Sequence, residues 1–192
     1  MTEEIRWQLL EAAQSDNPGD EVHAERLATA LLSFSSEEIE SYGVWINQQI
    51  DALNTTNHYV VGVWIYEFVA RELAIDLEMS ADGWTYFRAW LFALGQRRYT
   101  TAAANPDVVA EYFLKYYTEL HDLPNGELVS YSAKNAYRRK TNSDAPDTMF
   151  EPSIFDCCPG WPDGYFRPDN LSRKFPLCVA KLGEPVWANK FL

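Results

Sequence analysis

The stretch SADGWTYFRAWL (80–91) constrains this chain more than any other. At about 100° per residue, its Trp84, Phe87, Arg88 and Leu91, with Leu94 beyond, share one side of a helix. Tyr86 and Trp90 lie further round, so rings cover almost the whole cylinder. A helix without a polar face belongs in the middle of a protein. Arg88 stands in that apolar face, and a guanidinium brings five N–H donors and a permanent charge. Some carboxylate must therefore meet it, and the Trp84 ring offers a cation–π surface of about 0.5–2 kcal/mol. Asp82, Glu67 and Asp107 are the candidate partners.

Three uses of Arg88 follow. It can be a strut, paired to a carboxylate to fix helix packing. It can line a pocket and bind an external carboxylate or phosphate between Trp84, Tyr86 and Trp90, with Asp82 or Glu67 as the base of a catalytic version. Or the helix is shallower than its pattern suggests, and Arg88 reaches solvent along its own stem.

Helical spacing dominates up to about residue 140. TEEIRWQLLEAAQ carries a capping Thr2 and an apolar face of Ile5, Leu9 and Ala12 or Ala13. DEVHAERLATALLSF has Val22, Leu27, Ala30 and Leu31 inward. Ser35 and Glu38 make a capping box ahead of a third helix. A long helix is expected over 58–77, apolar nearly all round, with Glu67 and Arg71 four apart. Gly95 ends or bends the 82–94 helix, and helical patterns return over 107–120 and 127–141.

From Thr141 the chain is rich in Pro and aromatics, and LSRKFPLCVAKLG predicts a short helix interrupted by Pro176. The expected fold is all-α. Residues 1–140 form one compact helical domain of about six to seven helices, and residues 141–192 an irregular segment packed on it.

The net charge of −12 excludes sequence-independent nucleic-acid binding, which needs clustered cations, and permits a basic protein partner. YVVGVWIYEFVA (59–70) is too short to span a bilayer and contains Glu67, so no membrane role is expected. The N-terminus has no export signal and the three cysteines are an odd number, which points to a reducing cytoplasm. Cys157, Cys158 and Cys178 lack zinc spacing, and His23, His58 and His121 are scattered; no metal is expected. No P-loop, dinucleotide or nucleophile-elbow motif appears, so no cofactor is expected either.

The segment SADGWTYFRAWLFALGQRRY, followed by Asn105-Pro106-Asp107, resembles the signature of a bacterial family catalogued as domain of unknown function 4240. Ser80, Asp82, Gly83, Phe87, Arg88, Trp90, Leu91, Gly95, Tyr99, Pro106 and Asp107 match its pattern. Ala81 departs from it, standing where a second acid is usual, and Leu77-Glu78-Met79 replaces a Gly-Gly approach. Trp7, SSEEIE, LVSYSAKNAY and KFPLCVAKLG near the end extend the similarity. The resemblance implies one domain over most of the chain and singles out Arg88, but implies no chemistry. The leading expectation is a non-catalytic, acidic interaction or regulatory protein of the immunity type. A small-anion site centred on Arg88 is the alternative.

Overall fold

A computed structural model describes residues 1–117, 123–149 and 167–186. The regular structure in them is entirely helical. In chain order the helices are α1 Glu3–Ala12, α2 Glu21–Leu31, α3 Ser36–Ala52, α4 Thr56–Leu73, α5 Ala81–Ala93, α6 Gln96–Ala104, α7 Val109–Tyr116, α8 Glu127–Ser130, α9 Ser132–Thr141, α10 Pro168–Lys174 and α11 Pro176–Leu182. Short 3-10 turns occupy Pro106–Val108 and Asp147–Met149.

The all-α class stands, but the described residues hold eleven α-helices where periodicity predicts six or seven. The excess has three sources. Gly95, at φ +88, stops α5 outright, and α6 starts afresh. Tyr131 divides the expected 127–141 helix into α8 and α9. The C-terminal segment contains α10 and α11, each opened by a proline in its first turn, where the missing N–H is no loss. Helices of four to seven residues are too short for a periodicity to declare itself.

The long helix also ends early, at Leu73 rather than Leu77. Ala74 adopts the left-handed conformation (φ 50, ψ 42), and the Ile75 N–H closes on the Ala70 carbonyl at 3.0 Å. Two apolar faces are rotated from expectation. On α1 the buried residues are Trp7 and Leu10, while Ile5 is 38% exposed. On α2, Val22 is exposed and His23 takes the inward place beside Ala24, Leu27 and Leu31.

The core is a ring cluster joining four helices. Trp7 meets Trp45 edge-on at 4.9 Å, Phe92 at 5.4 Å and Tyr99 at 5.2 Å. Such pairs add about 0.5–1.5 kcal/mol each beyond the area they bury. α5 runs through the middle, with every residue from Trp84 to Ala93 buried except Tyr86. On its other side α8 approaches so closely that a Cβ on Gly126 would lie 2.2 Å from the Ala89 and Trp90 backbone. The Gly126 N–H donates to the Tyr86 carbonyl at 3.0 Å, and the Tyr86 hydroxyl to Glu127 at 2.8 Å.

Ala74 holds a conformation that glycine adopts without penalty. Ala74→Gly should therefore raise stability by about 0.5–1 kcal/mol in urea unfolding, despite the extra freedom it gives the unfolded chain. A loss of stability would show that the left-handed turn is not present.

Candidate functional site

Arg88 has no exposed surface. Its guanidinium sits at the C-terminal end of α3. Nη1 donates to the Ile50 carbonyl and to Asp51 Oδ1, both at 3.4 Å, and Nη2 donates to Thr85 Oγ1 at 3.4 Å. The carbon of the guanidinium lies 5.1 Å from the centroid of the Trp84 ring. A cation belongs at this place, because the last carbonyls of a helix and its macrodipole present negative charge.

Among the described residues the carboxylate that pairs with Arg88 is thus Asp51, where the sequence suggests Asp82, Glu67 or Asp107. Asp82 is exposed in the first turn of α5, behind the cap that Ser80 makes to the Gly83 N–H (3.0 Å). Glu67 is half-buried on α4. Asp107 is 4% exposed and accepts from the N–H groups of Leu177 (2.9 Å) and Cys178 (2.8 Å), closing the start of α11. Trp64 Nε1 donates to the Gly183 carbonyl at 3.0 Å, and Arg71 donates to the Leu182 carbonyl, so the far end of α11 is closed as well.

Trp84 is fully buried and donates from Nε1 to Asn54 Oδ1 at 3.2 Å. The structure therefore brings Trp84 and Arg88 together on the α3–α4 turn. Trp90 faces away from them, toward a cleft of about 180 Å³ that it shares with Phe113, Tyr116 and the Asn17–Asp20 turn. A second cleft, of about 510 Å³, is lined by Glu11, Gln14, Leu94, Arg97, Arg98 and Tyr112. Arg88 lines neither of these clefts. The sequence reading passed over Arg97 and Arg98; two arginines just after a helix-breaking glycine were the available signal.

Two histidines are buried and work as backbone ties. His58 Nε2 donates to the Ala102 carbonyl at 3.1 Å, and its Nδ1 accepts from the Thr55 hydroxyl at 2.7 Å. Burial pushes His58 down to about 4 from its ordinary 6.5, against the opposing pull of the Ala102 carbonyl. His23 spans the Leu10 carbonyl (3.1 Å) and the Gly19 N–H (3.3 Å), and burial lowers it too. Cys178 is a free, buried thiol, pushed well up by burial and by Asp107 beside it. Cys157, Cys158 and His121 lie outside the described residues. Among the described residues no three His, Cys, Asp or Glu side chains group as metal ligands, and no helix is long and apolar enough to cross a membrane.

These features define an all-α protein whose signature residues, Arg88 and Asp107, close helix ends. Residues 1–139 match the model of a family described as protein of unknown function (DUF4240), and the chain belongs to that family. No curated protein and no solved structure matches the chain significantly.

Truncating Arg88 opens a cavity and strips the α3 terminus of its donors. Arg88→Ala should cost roughly 3–5 kcal/mol, and Arg88→Met, which refills the volume, roughly half of that. Denaturant titration measures both; equal losses would mean that the charge and not the packing dominates.

His58 predicts a pH dependence. Its folded value lies below its unfolded value, so the stability it confers is complete above pH 6.5 and is lost as pH falls toward about 4. Between about pH 6.5 and pH 5 the wild type should lose about 2 kcal/mol through this group. His58→Gln should flatten that slope; an unchanged slope in urea midpoints would refute the assignment.

Proposed function

We propose that the protein acts without catalysis, by binding a basic protein partner through the acidic surface of its first half. The observation that carries this reading is the placement of charge. Residues 1–95 contain sixteen acidic and four basic side chains, while residues 96–192 contain twelve of each, so the whole −12 resides in the first half.

The four cations of that half are spent internally. Arg88 is buried, Arg71 closes α11, Arg6 donates to the Ser41 hydroxyl at 2.7 Å, and Arg26 to the Gln14 carbonyl at 2.8 Å. Against them stands a run of exposed acids on α4, the α4–α5 connection and the start of α5: Glu72, Asp76, Glu78 and Asp82. Among the described residues none of these four forms a salt bridge. Ile75, 40% exposed, supplies an apolar contact in their midst. Like charges held this close repel one another, and a cationic partner relieves that repulsion and is steered in at long range.

The test compares wild type with Glu72→Gln, Asp76→Asn, Glu78→Gln and Asp82→Asn combined, as immobilised baits in host lysate at low salt. Wild type should retain a basic protein that leaves as salt is raised, and the combined variant should retain at least about tenfold less of it. Equal retention by both baits, or no basic protein on either, overturns the reading.

A further inference from the structure

The two clefts are neighbours along α7. Tyr112 lines the larger and Tyr116, one helical turn on, lines the smaller. Arg98 belongs to the larger cleft, and its guanidinium carbon lies 5.9 Å from the centroid of the Tyr116 ring that walls the smaller. The two compartments share no lining residue but adjoin at this cation–π contact, so a groove along α7 would span both.

The ends differ in chemistry. The smaller is walled by Trp90, Phe113, Tyr116 and Leu128. A void of about 150 Å³ holds a benzene ring, so a cleft of about 180 Å³ has room for one aromatic ring. The larger carries Arg97 and Arg98 in the first turn of α6, two cations beside the single carboxylate of Glu11. Two carboxylates border the groove, and both are engaged with helix starts. Glu11 accepts from the Gln96 N–H at 3.0 Å, and Asp20 accepts from the His23 N–H at 2.8 Å and the Ser15 hydroxyl at 2.7 Å. The larger cleft thus keeps a net positive charge on a molecule of net charge −12. Arg97 is exposed, and among the described residues Arg98 contacts the Leu94 carbonyl at 3.5 Å and the Tyr116 ring, which leaves guanidinium N–H groups for a planar two-oxygen anion.

We propose that this groove binds a small aromatic acid, its ring between Trp90, Phe113 and Tyr116 and its carboxylate on Arg97 and Arg98. The site is separate from the Glu72, Asp76, Glu78 and Asp82 surface proposed for a basic partner and does not depend on it.

The experiment titrates ¹⁵N-labelled protein with 3-phenylpropionate, its neutral amide 3-phenylpropionamide, and acetate. Phenylpropionate should give saturable shifts at the Arg97 and Arg98 amides and at the Trp90 indole N–H. The amide and acetate should each bind at least about tenfold more weakly, since each lacks one half of the contact. Arg97→Gln with Arg98→Gln should abolish the preference for acid over amide, and Leu128→Trp, which fills the ring compartment from an exposed position, should abolish binding of both. Lys181→Gln, an exposed cation of α11 that lines neither cleft, should change nothing. Absence of saturation up to about 10 mM overturns the proposal. So does equal binding of acid and amide, or of acid and acetate, and so do shifts that map elsewhere in a folded protein.

Discussion

A guanidinium with no exposed surface lies against the last turn of α3, and the placing of α3, α4 and α5 follows from what it requires. Removing such a cation from water is costly, and only a site already rich in acceptors compensates for it. The C-terminus of a helix is such a site, with carbonyls left over and a negative dipole end. Arg88 reaches the Ile50 carbonyl and Asp51 from α5, while Trp84, one turn earlier, covers it and bonds Asn54 just past the helix. These contacts pin α5 to the α3–α4 turn at one register. Sliding α5 by a turn would take the guanidinium away from the Ile50 carbonyl and Asp51.

The same device recurs through the molecule: a side chain of one helix completes the end of another. Gln14 of the α1–α2 turn donates to the Ala93 carbonyl at the end of α5, and Glu11 of α1 accepts from Gln96 at the start of α6. The α5–α6 junction is thereby clasped on both sides of Gly95. His23 closes on α1 through Leu10, and His58 on α6 through Ala102. This explains how a chain of many short helices holds together. A helix of seven to ten residues is marginal alone, because nucleation is unfavourable and its terminal groups lack partners. Satisfying those groups from a neighbouring helix makes each element conditional on the next, which turns many weak helices into one cooperative body.

What was legible in the sequence divides along the same line. Local signals read correctly. The Ser35–Glu38 capping box forms in full, Thr2 caps α1, and Trp84 stacks on Arg88. The centrality of α5 followed from a helix with no polar face. What failed was whatever depended on pairing across distance. Asp51 lies 37 residues from Arg88 and Leu177 lies 70 from Asp107, and no spacing rule links them. Val22 and Ile5 are apolar by composition, yet His23 and Trp7 point inward because their polar atoms or rings find partners there. The helix count failed for another reason: the breaks at Gly95 and Tyr131 and the brevity of α10 and α11 leave segments too short for a periodicity to show.

The boundary of the family match at residue 139 can be weighed by the same physics. Asp107 lies inside the matched span and is nearly buried, and the N–H groups it accepts belong to Leu177 and Cys178, well outside it. Without them this buried carboxylate would lose the two donors it has among the described residues, a loss that costs several kcal/mol. Trp64 and Arg71, also inside the span, direct their donors to carbonyls at the far end of the same helix. α11, at seven residues, would not form in isolation. Each part supplies what the other lacks. In this chain Asp107 of the Asn105-Pro106-Asp107 motif is therefore satisfied by a helix start that lies outside the matched span.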